Sequence, residues 1–405
     1  MYLRNIRLRN IRDFEDISLD LTNEEGDPRL WTVVIGANGT GKTSLLRAIA
    51  IGLCNESDAN AMLASPIGMF VTSGKTQGEI ELTTSGSEGS SLDGKLTTIL
   101  NAADERESVR REDDSHAQGS REPFLLGYGV SRVRAGKGEY RQYRVFDATR
   151  TLFDYDAELA PVELTIRRIS DYLGTESYDH AMTGIKRALD LPAGTTISVT
   201  SGGGVSIRHQ SMEDEIALEA WADGYRLNFS WIVDLFGWAL QAGALTKDGG
   251  IRGILLVDEL EQHTHPSIQM GFVPRLKELW PELQVIATTH SPMVVMGAQS
   301  DEVVVLKRTD GVIEAAPAAM SFDGYSAEDV LVDERLFDTP AHGPRTSEAL
   351  STYEQLAAIP PGARSEDEQR RMREVARVIG SHALPGASDT PLLREIKALR
   401  EKYNL

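Results

Sequence analysis

The sequence predicts an α/β fold with a largely parallel sheet. Three short apolar runs, which begin at Trp31, Gly253 and Leu283, have the length and composition of buried strands. Apolar residues at helical spacing separate these runs along the chain. Because strands that alternate with helices tend to pair in parallel, the three runs indicate neighbouring strands of one sheet.

The N-terminal part of the chain predicts strands, then a glycine loop, then a helix. Apolar residues recur at strand spacing in two segments, at Leu3, Ile6 and Leu8 and at Ile17, Leu19 and Leu21. The buried run WTVVIG leads directly into a glycine-rich loop. After this loop, helical spacing returns at Leu45, Ile49 and Leu53.

The remaining segments predict the domain organisation. Polar stretches from Thr83 and from Asp104 predict surface loops, the region from Val162 to Leu191 predicts helices with a break at Gly174, and residues 195–210 predict a hairpin. Linker-like stretches and charged amphipathic helices follow near the C-terminus. We expect a main domain at residues 1–330, with insertions at about 83–122 and 150–215, and a helical appendage at residues 331–405.

Composition excludes several classes of protein. The 405 residues carry a formal charge of -19 and a pI near 4.9, which argues against a surface that coats nucleic acid or an anionic membrane. Cys54 is the one cysteine, so no internal disulfide can form, which fits a reducing cytoplasm. No apolar run is long enough to span a membrane. We expect a cytoplasmic protein without a membrane partner.

The strongest chemical signal is GANGTGKT, from Gly36 to Thr43, which fits the phosphate-loop pattern G-x-x-x-x-G-K-[ST] between a strand and a helix. Glycines let backbone N–H groups surround a phosphate, and the helix adds its positive end. Lys42 would reach the β- and γ-phosphates of ATP, and the hydroxyl of Thr43 would bind Mg²⁺. The predicted nucleotide contacts in this motif are Asn38, Gly39, Thr40, Gly41, Lys42, Thr43 and Ser44.

Two further strands end in polar residues suited to phosphate chemistry. Asp258 and Glu259 follow one strand, and neighbouring residues on a strand face opposite ways, so the two acids take different roles. We expect Asp258 to bind Mg²⁺ and Glu259 to orient and deprotonate the attacking water. His290 follows the next strand and can donate a hydrogen bond to the γ-phosphate.

Two other clusters leave alternatives open. His263 and His265 could suggest a metal site, but two nitrogen ligands are too few, and loop geometry explains them better. The strip from Arg132 to Arg144 is equally consistent with a nucleic-acid surface and with a solvated hairpin. Its five cations are Arg132, Arg134, Lys137, Arg141 and Arg144.

The order of these motifs resembles that of the ABC-type ATPases of the SMC, RecF and OLD group, in which two heads sandwich two nucleotides. The resemblance covers residues 1–310 approximately and begins at LRNIRDF, from Leu8 to Phe14, which looks like the group's L-x-N-F-R-x-F opening. It implies that Arg12 contacts the nucleotide. It also implies an α/β fold of the ABC-type P-loop ATPase head, with a mixed sheet, a helical insertion lobe and a small C-terminal helical appendage.

WADGYR falls where the same group carries its signature motif, which caps the γ-phosphate bound by the other subunit. Trp221 and Ala222 replace the usual leucine and serine, whereas Asp223, Gly224 and Tyr225 resemble a D-G-Y variant. The resemblance implies nucleotide contacts for Asp223 and Gly224. Without the serine hydroxyl, one charge-assisted hydrogen bond worth on the order of 1.5–3 kcal/mol is absent. The group's Q-loop glutamine stays open between Gln142 and the region of Tyr128.

The resemblance implies a nucleotide-dependent switch. ATP and Mg²⁺ would close a homodimer or higher even oligomer, hydrolysis would open it, and a partner effector would read the state. The chain looks most like stand-alone ATPases of bacterial anti-phage systems, such as the Septu ATPase that works with an HNH nuclease, and it has no nuclease motif itself. The alternative is a RecF-like DNA-repair ATPase that binds DNA directly.

Overall fold

A computed structural model gives the fold of the chain. It describes residues 1–63, 67–86, 94–103, 107–113, 124–132, 142–199, 204–209, 214–246, 249–339, 343–360 and 363–380. The contacts divide the chain into two compact units. The first unit comprises residues 1–330 and 335–337, and the second comprises residues 331–334 and 338–405.

The described strands of the first unit form three sheets. Its strands are β1 (Tyr2–Ile11), β2 (Phe14–Asp20), β3 (Trp31–Gly36), β4 (Gln77–Ser85), β5 (Gly94–Asn101), β6 (Ser108–Asp113), β7 (Leu125–Tyr128), β8 (Thr196–Val199), β9 (Val205–Arg208), β10 (Ile216–Ala217), β11 (Gly253–Val257), β12 (Leu283–Thr288), β13 (Val303–Thr309) and β14 (Val312–Pro317).

Helices occur in both units. They are α1 (Lys42–Leu53), α2 (Glu56–Met62), α3 (Val145–Thr149), α4 (Val162–Tyr172), α5 (Thr175–Ala188), α6 (Asp223–Ala242), α7 (Pro266–Leu279), α8 (Pro292–Met296), α9 (Ala327–Val332), α10 (Pro344–Ala357) and α11 (Glu366–Gly380). In the described residues, no helix is long and apolar enough to cross a membrane.

The central sheet is six-stranded and mixed, in the order β14-β13-β3-β12-β11-β7. Its pairs from β13 to β7 are parallel, and β14 joins the edge in antiparallel fashion. The prediction of neighbouring parallel strands from the three apolar runs is confirmed, since β3, β12 and β11 are adjacent. The carboxyl ends of these three strands therefore meet at one edge of the sheet.

Both faces of the central sheet are buried. Along β11, Ile254 and Leu256 join the core around α1, whereas Leu255 and Val257 join the core around α6 and α7. Strands covered on both sides need continuous apolar runs rather than alternation, which explains the sequences GILLV and LQVIAT. Asp258 continues the series of Ile254 and Leu256 and so lies toward α1.

A second, antiparallel sheet covers the other side of α1, in the order β2-β1-β4-β5-β6. The predicted surface loops at residues 83–95 and 104–122 are wrong where these segments contain strand residues. Residues 83–85 belong to β4, residues 94–95 begin β5 and residues 108–113 form β6, and Leu96, Leu100 and Val109 of β5 and β6 are buried against the same core. Residues 87–93, 104–106 and 114–122 lie outside the described residues.

The helical region before the hairpin has the predicted form. α4 and α5 are separated at Gly174, and β8 pairs with β9 in antiparallel fashion. The second unit contains a small core of its own, in which Ala349 and Tyr353 of α10 cluster with Ile379 of α11. The further helix predicted at residues 392–405 lies outside the described residues.

Gln284 joins the two large sheets. Its fully buried side chain accepts a hydrogen bond from the N–H of Leu3 at 2.7 Å and donates to the carbonyls of Leu3 at 2.8 Å and Arg29 at 2.9 Å. A glutamine in the apolar strand β12 is thus satisfied by backbone groups of β1 and of Arg29, which precedes β3.

Replacing Gln284 with leucine should destabilise the fold. The change keeps a similar volume but leaves the three backbone groups without partners, at a cost on the order of 3 kcal/mol in the free energy of unfolding. Urea unfolding measures this loss. Gln77→Leu, at an exposed position on β4, is the matched control and should change stability by less than about 0.5 kcal/mol. Equal effects of the two changes would contradict the assigned role of Gln284.

Asp234 ties α6 to the edge strand β7. Its carboxylate accepts hydrogen bonds from the hydroxyl of Tyr128 at 2.6 Å and from the N–H of Ala160 at 2.7 Å. Complete burial nevertheless raises the pKa of Asp234 from 3.8 to about 6.

The raised pKa predicts a pH-dependent contribution to stability. The folded protein binds this proton more tightly than the unfolded chain, so the contribution of Asp234 is full below pH 3.8 and is lost as the pH rises through about 6. The loss amounts to about 3 kcal/mol. The unfolding free energy of wild type relative to Asp234→Asn should fall between about pH 4 and about pH 6 and then stay level. A pH-independent difference in urea unfolding would contradict the assignment.

Candidate active site

The three adjacent strands β3, β12 and β11 bring the predicted catalytic groups to one edge of the central sheet. The phosphate loop follows β3, His290 lies two residues beyond β12, and Asp258 follows β11 directly. Ligands of open α/β sheets bind at this carboxyl edge. The convergence was expected from the sequence, and the contacts described below add residues that the sequence did not single out.

Glycines shape the phosphate loop. Gly41 has a φ of 86° and precedes α1, and a Cβ built on it would lie 2.6 Å from the Cζ of Phe14. At Gly36, a Cβ would lie 2.4 Å from the carbonyl oxygen of Leu306. Both positions therefore require glycine for close packing. Asn38 and Gly39 are exposed at the tip, whereas Thr40 is buried and donates to the carbonyl of Ala37 at 2.9 Å.

Lys42 is the first residue of α1 and is largely buried. Its Nζ donates to the carbonyls of Gly36 at 2.7 Å and Ala37 at 3.1 Å. Burial lowers the pKa of Lys42, and the nearby charges of Asp258, Glu259 and Glu261 partly oppose this shift. Three carboxylates close to a lysine ammonium show that this end of the sheet concentrates charge of both signs.

Thr43 and Asp258 meet directly. The Oγ1 of Thr43 donates to the Oδ2 of Asp258 at 2.7 Å, although the two residues are 215 positions apart. The Oδ1 of Asp258 accepts from the hydroxyl of Thr288 at 2.6 Å. A hydroxyl and a carboxylate are hard oxygen donors, so the pair fits Mg²⁺, which is bound through few protein ligands together with substrate phosphates.

Glu259 lies beyond β11, because the strand ends at Val257. The alternation of side chains along a strand, from which different roles for the two acids were predicted, therefore does not extend to Glu259, and the two roles stay predictions. Glu259 has a φ of 49°, a left-handed conformation that a non-glycine residue seldom adopts. Its N–H donates to the Oγ1 of Thr288 at 2.8 Å. Burial, followed by the charges of Asp258 and Glu261, raises the pKa of Glu259.

Sequence reasoning missed Thr288, Thr289 and Glu261. Thr288 bonds both acids, as described above. The Oε2 of Glu261 accepts from the hydroxyl of Thr289 at 2.6 Å, and its Oε1 accepts from the N–H of His290 at 2.7 Å. The missed signal is the pair of threonines at the end of an apolar strand, where buried hydroxyls must find partners.

Arg12 has a left-handed φ of 52° between β1 and β2. Its guanidinium lies 4.5 Å from the centre of the Phe70 ring, and burial, followed by the charge of Arg47, lowers the pKa of Arg12. The neighbouring Asp13 approaches the phosphate loop, since Arg308 donates both to its carboxylate and to the carbonyl of Gly39, each at 3.1 Å. The opening motif thus lies beside the loop, while the nucleotide contact of Arg12 stays a prediction.

The helix predicted to follow the signature begins at Asp223, with Ala222 as its N-cap. Among the residues that the structure describes, no side chain caps its first N–H groups. A Cβ on Gly224 would lie 2.5 Å from the carbonyl oxygen of His263, so the glycine allows the loop after β11 to pack against α6. Asp223 is exposed and pairs with Arg226 at 2.7 Å.

A cavity of about 450 Å³ opens beside this helix start. Ala222, Gly224, His263 and His265 contribute to its lining. His265 also caps α7, with its Nδ1 accepting from the N–H of Ser267 at 3.3 Å. Within the described residues, no group of three or more histidine, cysteine or acidic side chains is arranged to bind a metal ion.

The structure describes two of the five cations of the basic strip, Arg132 and Arg144. A nucleic-acid contact through Arg132 is contradicted, because only 2% of the residue is exposed. Tyr143 is also engaged, and its hydroxyl bonds the backbone of Leu125. Arg144 is exposed and forms an ion pair with the buried Asp58. Arg134, Lys137 and Arg141 lie outside the described residues.

The mixed sheet, its covering antiparallel sheet and the phosphate loop define an ABC-type P-loop ATPase fold. A solved SMC head bound to the C-terminal winged-helix domain of ScpA has this fold, with a TM-score of 0.50 and 14% identity over 78% of this chain and 97% of that one. Two family models match parts of the chain. The AAA ATPase domain matches residues 1–115, and the AAA domain described as "putative AbiEii toxin, Type IV TA system" matches residues 232–296.

Sequence relatives narrow the class. The Septu protein PtuA of Bacillus mycoides (strain KBAB4) is 24% identical over 389 residues, which cover 92% of this chain and 50% of that protein. The retron Ec83 probable ATPase of Escherichia coli is 33% identical over 152 residues, which cover 37% of this chain and 26% of that protein. The chain thus spans half or less of these relatives. The chain therefore shares the fold of SMC heads, contains segments that match AAA ATPase domains, and is similar in sequence to Septu and retron ATPases.

Thr288→Val tests whether the hydroxyl of Thr288 holds Asp258 and Glu259 in place. The change removes the hydroxyl at nearly constant shape, so Asp258 and the N–H of Glu259 each lose a partner. Loss of such outer support typically costs about 10- to 100-fold in activity, and we expect that drop in the ATPase rate.

Thr98→Val provides the matched control. Thr98 is equally buried on β5, but its hydroxyl has no hydrogen-bond partner in the described structure. Its ATPase rate should equal that of the wild type. A Thr288→Val protein that folds and hydrolyses ATP at the wild-type rate would remove Thr288 from the site.

Proposed function

We propose that the chain is the ATP-hydrolysing switch subunit of an anti-phage defence system, which dimerises head to head around ATP and Mg²⁺ and controls a partner effector. The observation that carries the proposal is the direct bond between Thr43 and Asp258, with Glu259 as the next residue. This bond supports the proposal that Thr43 and Asp258 hold the metal and that the adjacent Glu259 is the base.

Hydrolysis would use the residues at the sheet edge in distinct ways. Lys42 and the loop N–H groups would bind the phosphates, and Thr43 and Asp258 would hold the metal. Mg²⁺, when bound, would neutralise charge on the β- and γ-phosphate oxygens. Glu259 would orient the water and take its proton, and its raised pKa would make it a stronger base than an ordinary glutamate. His290 would donate a hydrogen bond to the γ-phosphate.

Dimer formation would use the start of α6 in each head, where the sequence resembles the signature motif. In the described structure no side chain caps the start of α6, so the N–H groups of Asp223 and Gly224 can donate hydrogen bonds to the phosphate of a nucleotide bound by a second copy of the chain. Asp223 and Gly224 would then contact the partner's nucleotide. An assembly of this kind contains an even number of heads, because each site needs a phosphate loop from one copy and a signature from another.

The effector is proposed from the kinship with the Septu and retron ATPases. We expect a protein effector, of which an HNH-type nuclease is the leading class. A RecF-like DNA-repair ATPase is less well supported, because Arg132 is buried, Tyr143 bonds the backbone and the net charge is -19. The chain's own residues therefore favour control of a partner over direct DNA binding.

Glu259→Gln tests the central step. The amide keeps the size of the side chain but cannot accept the proton of water, so turnover should fall by about 10²- to 10⁴-fold with unchanged ATP affinity. In the presence of ATP and Mg²⁺ this variant should accumulate as a species of doubled mass. Light scattering measures the mass, and phosphate release measures turnover.

Lys42→Ala is the control, because it should lose ATP binding and stay at the mass seen without nucleotide. Undiminished hydrolysis by Glu259→Gln would exclude Glu259 as the base. Hydrolysis without any ATP-dependent change in mass would contradict the dimeric switch and leave a monomeric ATPase.

A further inference from the structure

Arg132 is a buried cation surrounded by backbone carbonyls. Its guanidinium donates to the carbonyl oxygens of Gly129 at 3.1 Å, Asp258 at 2.6 Å and Glu259 at 2.7 Å. It also lies 5.9 Å from the centre of the Trp231 ring on α6. One planar side chain thus contacts both acids of the site through their backbone, and it contacts the helix that begins at the signature.

Burying this charge is costly. Burial lowers the pKa of Arg132 to about 10, while the charges of Asp258, Glu261 and Glu259 oppose the shift. A buried ion is commonly less stable than an apolar residue of similar volume, so stability alone does not explain an arginine here. The arrangement indicates that the planar guanidinium is needed to donate to the carbonyls of Asp258 and Glu259 together.

The two carbonyls belong to a strained turn. Glu259 holds its left-handed φ of 49° with its N–H on Thr288 and its carbonyl on Arg132. Such a conformation persists only when the surroundings over-determine it. Because the two hydrogen bonds fix the peptide groups on both sides of the Glu259 Cα, they set the direction in which its carboxylate leaves the backbone.

A continuous set of contacts extends from Arg132 to the signature. The Nε1 of Trp231 donates to the Oδ1 of Asn228 at 2.9 Å. The Nδ2 of Asn228 donates to the carbonyls of Gly224 at 2.8 Å and His263 at 3.3 Å. These residues join the backbone of Glu259 to the first turn of α6 through side chains that are all buried.

We propose that Arg132 is a positioning residue: it orients Glu259 and, through Trp231 and Asn228, couples that orientation to the start of α6. The inference rests on the proposed role of Glu259 as base. It gives each head an internal connection between the acid that serves its own nucleotide and the element that would meet the nucleotide of a second copy.

Arg132→Lys tests the positioning. Lysine keeps the positive charge, but its single ammonium group cannot replace the planar guanidinium that donates to two carbonyls and lies over the Trp231 ring. We expect kcat for ATP to fall by about 10- to 100-fold, with the dissociation constant for ATP unchanged, because a misplaced base affects turnover and not binding. Arg110→Lys, at an exposed position on β6, is the control and should match the wild type.

A double variant separates positioning from general damage. If Arg132 acts through Glu259, adding Arg132→Lys to Glu259→Gln should not lower the residual rate further. A further drop of the same 10- to 100-fold size would overturn the proposal. So would a folded Arg132→Lys protein with wild-type kcat, while the Glu259→Gln result separately decides the proposed function.

The connection to α6 is tested with Trp231→Phe, which keeps a ring beneath Arg132 but removes the donor to Asn228. If the contacts act as one unit, Trp231→Phe and Arg132→Lys together should reduce kcat by less than the product of their separate fold-changes. A full product would show that the two residues act independently and would overturn the coupling. Circular dichroism and thermal unfolding establish that each variant is folded.

Discussion

The carboxylate of Asp258 is the constraint on which the site depends. Its two oxygens accept from Thr43 on α1 and from Thr288 on β12, so a single buried side chain joins three elements that are distant in sequence. A buried carboxylate is tolerated only when donors satisfy it, and here the two threonine hydroxyls are those donors. The hydroxyl of Thr288 also accepts a hydrogen bond from the N–H of Glu259. The threonine that fixes the Asp258 carboxylate therefore also fixes the backbone of the next residue.

The surrounding fold keeps these elements in register. Alternate residues of β11 and β12 enter different cores, so a shift by one residue would exchange the two faces and move Asp258 away from α1. Gln284 and Asp234 add polar ties at the two sides of the sheet, one to β1 and one between β7 and α6. The polar groups therefore specify which apolar packing is adopted, and the apolar groups supply most of its stability.

The sequence was sufficient to predict the features that depend on residues close together in the chain. The phosphate loop, the apolar strands, the helix after Asp223 and the break at Gly174 all depend on local pattern. The contact of Arg132 with the two acids could not be predicted in this way, because the carbonyls of Asp258 and Glu259 lie 126 and 127 residues away along the chain. β5 and β6 were missed for a related reason, since their apolar residues are few and become strand-forming only beside β4 and α1.

Gly224 shows that a motif residue can be retained for reasons of folding alone. The carbonyl of His263 occupies the space that any side chain at this position would need, whether or not a nucleotide is ever bound there. A lineage that lost ATP turnover would still be selected to keep this glycine, whereas the threonine hydroxyls and Glu259 would be free to drift. Signature glycines are accordingly weak markers of activity when degenerate copies of such heads are sorted from working ones.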